Sequence, residues 1–126
     1  MREDLIIKMN KLKTIDYDSE NDIFYISNGE NVKSSLDLGD FVLDVSHKNL
    51  INGIEIMDAS ENLGISKDVL NKIKSIKMNV TYKTNNVYVL LLMTFQKNNK
   101  EVNVPIPLTI SLGHKVPRKE ILIYNS

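Results

Sequence analysis

From Ile76 to Tyr82 the chain alternates strictly. Ile76, Met78, Val80 and Tyr82 are apolar, whereas Lys77, Asn79, Thr81 and Lys83 are polar. A period of two cannot serve a helix face; it puts the four apolar side chains on one side of an extended strand whose other side is wet. Two more strands follow. Val87–Phe95 is apolar at nearly every position, the pattern of a central strand covered on both sides. Val102, Val104, Ile106, Leu108, Ile110 and Leu112 then fill the even positions, with Pro105 and Pro107 on odd ones. Two prolines so close remove two ladder donors, which consigns this stretch to an edge or an irregular strand. After Gly113-His114 and Pro117, Ile121–Tyr124 reads as a last short strand.

The first half uses shorter strands. Its opening dozen residues, among them Leu5, Ile6 and Ile7, form a weakly patterned arm that leads into a strand at about Lys11–Asp16. Asp18–Asp22 is a polar turn, and Ile23–Ile26 the next strand. Asn28-Gly29 signals a type I′ turn, lengthened by polar residues as far as Asn31. Val32–Leu38, Phe41–Val45 and Leu50–Met57 follow as strands. Gly53, inside the last of these, predicts a bulge or a close approach of backbones. Asp58 is placed to cap a short helix Ala59–Leu63 ended by Gly64, and Ser66 to cap a second, Lys67–Lys74. Asn85-Asn86 and Lys97–Lys100 are the later turns. The expected fold is α+β: a mainly antiparallel sheet of about seven to eight strands, with one or two short helices near the middle. One domain over 1–126 is expected, with sub-blocks 14–64 and 75–112 joined by helical turns at 58–74.

Charge divides the chain more sharply than its zero total suggests. Residues 1–13 carry four bases and two acids, residues 14–64 two bases and eleven acids, and residues 65–126 ten bases and three acids. The net values are +2, −9 and +7. An acidic block and a basic block attract one another within a molecule or between copies, over roughly a Debye length. There is no cysteine, so disulfides, thiolate metal sites and a cysteine nucleophile are excluded. The N-terminal residues make a poor signal peptide, and no apolar run reaches the eighteen or so residues that span a bilayer. A cytoplasmic protein without membrane contact is expected.

Residues 15–64 resemble a small prokaryotic family known as domain of unknown function 2283. The resemblance rests on Tyr17-Asp18, on Asp22-Ile23-Phe24-Tyr25-Ile26, and on the closing block Gly53-Ile54-Glu55-Ile56-Met57-Asp58-Ala59-Ser60. Met57 stands where the family has leucine, and Val45–Leu50 departs from a more acidic turn ending in glycine. The resemblance implies a small β-meander followed by a helical segment, and no catalytic residues.

No residue set stands out as catalytic, cofactor-binding or metal-binding. Asp16, Asp18, Glu20 and Asp22 alternate like a calcium loop, but Asn21 and Ser27 stand where the loop needs glycine and glutamate. Glu55 and Asp58 form a candidate carboxylate pair; strand alternation instead turns Glu55 away from Ile54 and Ile56, and Asp58 is wanted as a cap. His47 and His114 lack a third ligand nearby in sequence. Lys77, Lys83, Lys97, Lys100, Lys115, Arg118 and Lys119 are a candidate nucleic-acid surface, but Tyr82 lies on the opposite face from Lys77 and Lys83, and the acidic block opposes such binding. The expectation is a non-enzymatic, self-associating interaction or accessory module, a homodimer with room for a protein partner. The alternatives are a small ligand or an enzymatic reaction in a cavity between the sheet blocks, and weak nucleic-acid binding through the basic half.

Overall fold

A computed structural model of the chain describes residues 7–83, 86–111 and 121–125, with side chains described for 12–83 and 86–111. Its elements in order are β1 (Ile7–Lys11), β2 (Thr14–Asp18), β3 (Ile23–Ser27), β4 (Val32–Asp37), β5 (Phe41–Ser46), β6 (Ile51–Ile56), α1 (Ala59–Leu63), α2 (Lys67–Leu70), β7 (Ile73–Tyr82), β8 (Asn86–Lys97), β9 (Lys100–Ser111) and β10 (Ile121–Asn125). They form two five-stranded sheets: sheet I in the order β2-β3-β6-β5-β4, and sheet II in the order β1-β10-β7-β8-β9. Every pairing is antiparallel except β1 with β10. The fold is therefore the α+β, mainly antiparallel arrangement with two short central helices that the sequence predicts. The expected features at Leu5, Ile6, Asn85, Leu112–Pro117 and the basic residues Lys115, Arg118 and Lys119 lie outside the described residues.

Alternation sets the core. Phe24, Ile26, Leu43, Ile54 and Ile56 of sheet I are fully buried, as are Ile76, Met78, Val80, Val87, Leu91 and Met93 of sheet II, and all belong to one continuous apolar cluster. Pro105 and Pro107 lie on β9, the edge strand of sheet II, as their spacing predicts. The two sheets are also joined through the backbone. The Ile51 N–H donates to the buried Tyr82 hydroxyl at 2.8 Å.

Sheet I departs from the expected meander, because β6 inserts between β3 and β5. The segment after Asn28-Gly29 accordingly carries the chain to the far edge of the sheet. No I′ hairpin forms there: Gly29 has φ +84°, but Asn28 is not left-handed. The bulge expected around Gly53 is present, since Asp44 pairs with Gly53 and Val45 with Ile51, leaving Asn52 as the extra residue.

Three further local expectations are corrected. The second helix ends at Leu70, because Ile73 already pairs with Phe95 in β7–β8. Val87–Phe95 is covered on one side: Val87, Val89, Leu91, Met93 and Phe95 are buried, while Tyr88 and Leu90 are exposed. Asp58 occupies the N-cap of α1 in a left-handed conformation (φ 44°) without a side-chain cap bond. The cap is supplied by Asp22 instead, 38 residues upstream of Ser60. Its Oδ1 accepts from the Ser60 N–H at 3.0 Å, and its Oδ2 from the Ser60 hydroxyl at 2.6 Å. Gly64 (φ 67°) closes α1, and the Ser66 side chain accepts from the Val69 N–H to cap α2, as predicted.

Candidate functional site

With the inner faces of both sheets packed together, the outer faces are what the molecule offers to others. Their chemistry differs.

On sheet I the outward residues of neighbouring strands are Asp16, Tyr25, Glu55, Val42 and Asp37 in one row, and Ser27, Gly53, Asp44 and Ser35 in the next. Tyr25 donates its hydroxyl to Asp44 Oδ2 at 2.8 Å, and Ser35 donates to Asp44 Oδ1 at 2.8 Å. Gly53 makes this bridge possible. A Cβ there would lie 2.9 Å from Asp44 Oδ2, 3.1 Å from the Ile26 carbonyl oxygen and 3.3 Å from the Tyr25 hydroxyl. Burial first, and then the Asp44 hydrogen bond, push the Tyr25 hydroxyl above its ordinary pKa. A hydroxyl held protonated beside a carboxylate is a tie across three strands and a poor general base. Glu55 stands next to Tyr25 on this face, pointing away from Ile54 and Ile56 as predicted; no hydrogen bond joins it to the exposed Asp58.

The acidic turn between β2 and β3 is equally committed. Asp18 Oδ1 accepts from the Glu20 and Asn21 N–H groups, and its Oδ2 from the Asn21 amide. The Asn21 bonds hold the Asp18 carboxyl below the usual range. Asp22 accepts the Tyr17 hydroxyl at 2.6 Å in addition to its Ser60 bonds. Burial pushes the Asp22 carboxyl up, but the Ser60 and Tyr17 bonds together with Lys67 outweigh it and hold the group low. Tyr17 is pushed up to about 12, by burial first and then by its bond to Asp22. Among the described residues no group of three or more histidines, aspartates or glutamates is placed to hold a metal ion.

The outer face of sheet II carries an apolar strip, Tyr88, Leu90 and Leu92 of β8 with Pro105 and Pro107 of β9, bordered by polar residues. Its cross-strand rows are Thr81–Tyr88–Thr109, Asn79–Leu90–Pro107, Lys77–Leu92–Pro105 and Ser75–Thr94–Asn103. Tyr88 is 41% exposed and Leu90 39%. Asn79, Thr81, Tyr88, Leu90, Pro107 and Thr109 border a shallow depression of about 320 Å³. At the polar end the Thr94 hydroxyl donates to Asn103 Oδ1 at 2.8 Å. The described basic side chains of the predicted group are dispersed. Lys77 stands on this face, whereas Lys97 and Lys100 pair at the end of the β8–β9 hairpin. His47 is exposed in the turn after β5, and His114 lies outside the described residues. Among the described residues no helix is long and apolar enough to cross a membrane.

What sequence reasoning missed is the pair of Tyr–Asp–Ser clusters, Tyr17–Asp22–Ser60 and Tyr25–Asp44–Ser35. The signal for the second was Gly53, a glycine inside a strand that leaves space for a neighbour's side chain.

A family model described as "Protein of unknown function (DUF2283)" matches residues 14–60. That range contains all of sheet I and both clusters. A relative from Methanosarcina mazei named "Putative hypoxanthine phosphoribosyltransferase" is 35% identical over 89 residues, covering 70% of this chain and 72% of its own. No solved structure matches. Tyr17, Asp22 and Ser60, which meet at the start of α1, all lie within the matched residues, and the chain belongs to the DUF2283 family, whose function is unknown.

Proposed function

We propose that this chain is a non-enzymatic, cytoplasmic module, one unit over residues 1–126, that pairs with a second copy of itself through the outer face of sheet II. The observation that carries the reading is the exposure of Tyr88 and Leu90 in the apolar strip on the outer face of sheet II. Aromatic and aliphatic side chains left open on a flat β-surface are the usual content of an interface core. A two-fold pair brings the same patch onto itself, so the patch must tolerate its own charge. Sheet I fails that condition, since Asp16, Asp37, Asp44 and Glu55 would face their copies. Sheet II meets it, with Lys77 one row away from Leu90.

The test is the solution mass by light scattering after size exclusion, at about 50 and about 500 mM salt. A dimer is expected at both, because apolar burial is not screened. Leu90→Asp, a change at an exposed position, is expected to give a monomer with unchanged circular dichroism. A monomeric wild type at both salts would sink the proposal.

The name of the Methanosarcina relative brings a second reading, purine phosphoribosyl transfer. A phosphorylated sugar is commonly cradled by backbone N–H groups at a helix N-terminus or a glycine-rich loop. Here the helices have five and four residues, and the five glycines stand singly. A ligand between the sheets likewise meets fully buried Phe24, Ile54, Met78 and Leu91. A rise in melting temperature with hypoxanthine would favour the enzymatic reading over ours.

A further inference from the structure

Between α2 and the end of the β8–β9 hairpin runs a second concave surface of about 450 Å³, away from the sheet II outer face. Its walls are Val69, Phe95, Val102 and Val104, with Lys72 and Lys97 among its lining. Val69 and Val102 are 40% and 39% exposed. We infer that this groove docks an extended peptide of a partner protein, with an apolar side chain flanked by carboxylates.

The backbone argument comes from the prolines. β9 keeps twelve consecutive pairs with β8, from Asn86↔Ser111 to Lys97↔Lys100, and Pro105 and Pro107 fall within them. An unbroken ladder tolerates those prolines where their nitrogens face away from β8. Alternate residues of a strand direct their backbone groups the same way, so the N–H and C=O groups of Glu101 and Asn103 also face outward. Among the described strands β9 has no neighbour on that side. Beyond Asn103 the donors stop at Pro105 and Pro107. An added strand can therefore pair along the first part of β9 alone, the part whose Val102 and Val104 side chains line the groove. Main-chain bonds to an edge combined with a pocket for alternate side chains are the two components of peptide recognition by strand addition.

The charge argument fixes what the peptide carries. Both charged residues lining the groove are lysines. The nearest acid on β9, Glu101, is engaged by Lys74, the extra residue where the β7–β8 register shifts between Ile73 and Ser75. Asp68, beside Val69 on α2, and Glu101 are the acids on these elements, and neither lines the groove. Carboxylates on the incoming strand are complementary to the field of Lys72 and Lys97, and lysines are opposed by it.

The experiment is fluorescence polarisation of the full chain with three labelled pentapeptides: DVLVD, KVLVK, and DVLVD with N-methylated backbone amides. In an extended pentapeptide the central leucine and the two end residues share a face. Saturable binding of DVLVD is expected, at least tenfold tighter than KVLVK or the N-methylated form. The double variant Lys72→Glu/Lys97→Glu should reverse the order of DVLVD and KVLVK, and Val69→Asp should weaken DVLVD at least tenfold, with circular dichroism unchanged in both. Absence of saturable DVLVD binding, equal binding of the two charge types, or indifference to the lysine reversal would overturn the inference. Because the groove and the sheet II face are separate, Leu90→Asp should leave DVLVD binding intact. Failure here and failure of self-association are therefore read independently.

Discussion

Replacing Asp22 with asparagine alters three hydrogen bonds at once: those from the Tyr17 hydroxyl, the Ser60 N–H and the Ser60 hydroxyl. A helix cap is commonly worth about 1 kcal/mol, and the charge-assisted bonds add to it, so Asp22→Asn is expected to cost about 1–2 kcal/mol in urea denaturation. Asp58→Asn makes the contrast. Its side chain caps nothing, and asparagine tolerates the left-handed backbone, so a change within about 0.5 kcal/mol is expected. The pH dependence follows from the same bonds. The Asp22 carboxyl is held below its ordinary value, so its contribution is complete above the unfolded pKa and is lost as pH falls through the folded one. The acid limb of the stability curve should therefore be shallower in Asp22→Asn than in wild type. Tyr17 has the opposite sign. Raised from 10.0 to about 12, it contributes stability that is complete below the unfolded value and lost as pH rises through the folded one. Titration of tyrosinate absorbance should show late-ionising tyrosines, Tyr17 and Tyr25 among them, that become ordinary on unfolding. Asp58 was the natural cap to read from sequence, because it sits immediately before the helix. Asp22 was not legible, because the β2–β3 turn reaches α1 through tertiary structure alone.

Among the elements, β6 is the most constrained. It lies at the centre of sheet I, holds Gly53 under the Tyr25–Asp44 bridge, and carries the bulge at Asn52. Gly53→Ala is expected to destabilise by about 1–3 kcal/mol, since the new Cβ meets the Ile26 carbonyl oxygen as well as Asp44 and backbone does not yield. A midpoint shift below about 0.5 kcal/mol would mean that the strand moves aside freely. The glycine's need was readable from its place in a strand pattern; its neighbours were not, because Tyr25 and Asp44 are 19 residues apart. Local pattern served the other strands well. The alternation of Ile76–Tyr82 and the two prolines of β9 each led to the right place. It failed at Val87–Phe95 for a physical reason: an all-apolar strand looks the same whether its second face is covered within the chain or left open. It failed again at Asn28-Gly29, where a strong turn dipeptide yielded to a crossover that brings β6 between β3 and β5.

At the scale of the molecule, the two sheets share one apolar cluster and the Tyr82–Ile51 hydrogen bond. Tyr82→Phe keeps the ring in the core and removes the acceptor from the Ile51 N–H. A loss of about 1–3 kcal/mol is expected at equilibrium, with little change in secondary structure by circular dichroism. The order of strands also has a consequence for how the fold is reached as the chain leaves the ribosome. Sheet I is contiguous, drawn from Thr14 to Ile56, so it can assemble early from nearby partners. Sheet II cannot. β1 pairs with β10, and β10 lies between it and β7, so one of the first strands made waits for the last. Contacts of such long sequence separation form slowly, because the loop entropy precedes the reward. Until β10 arrives, the edge of β7 is open, and a newly made copy can accept the equivalent strand of another molecule. Strand exchange during synthesis is thus the characteristic hazard of this topology.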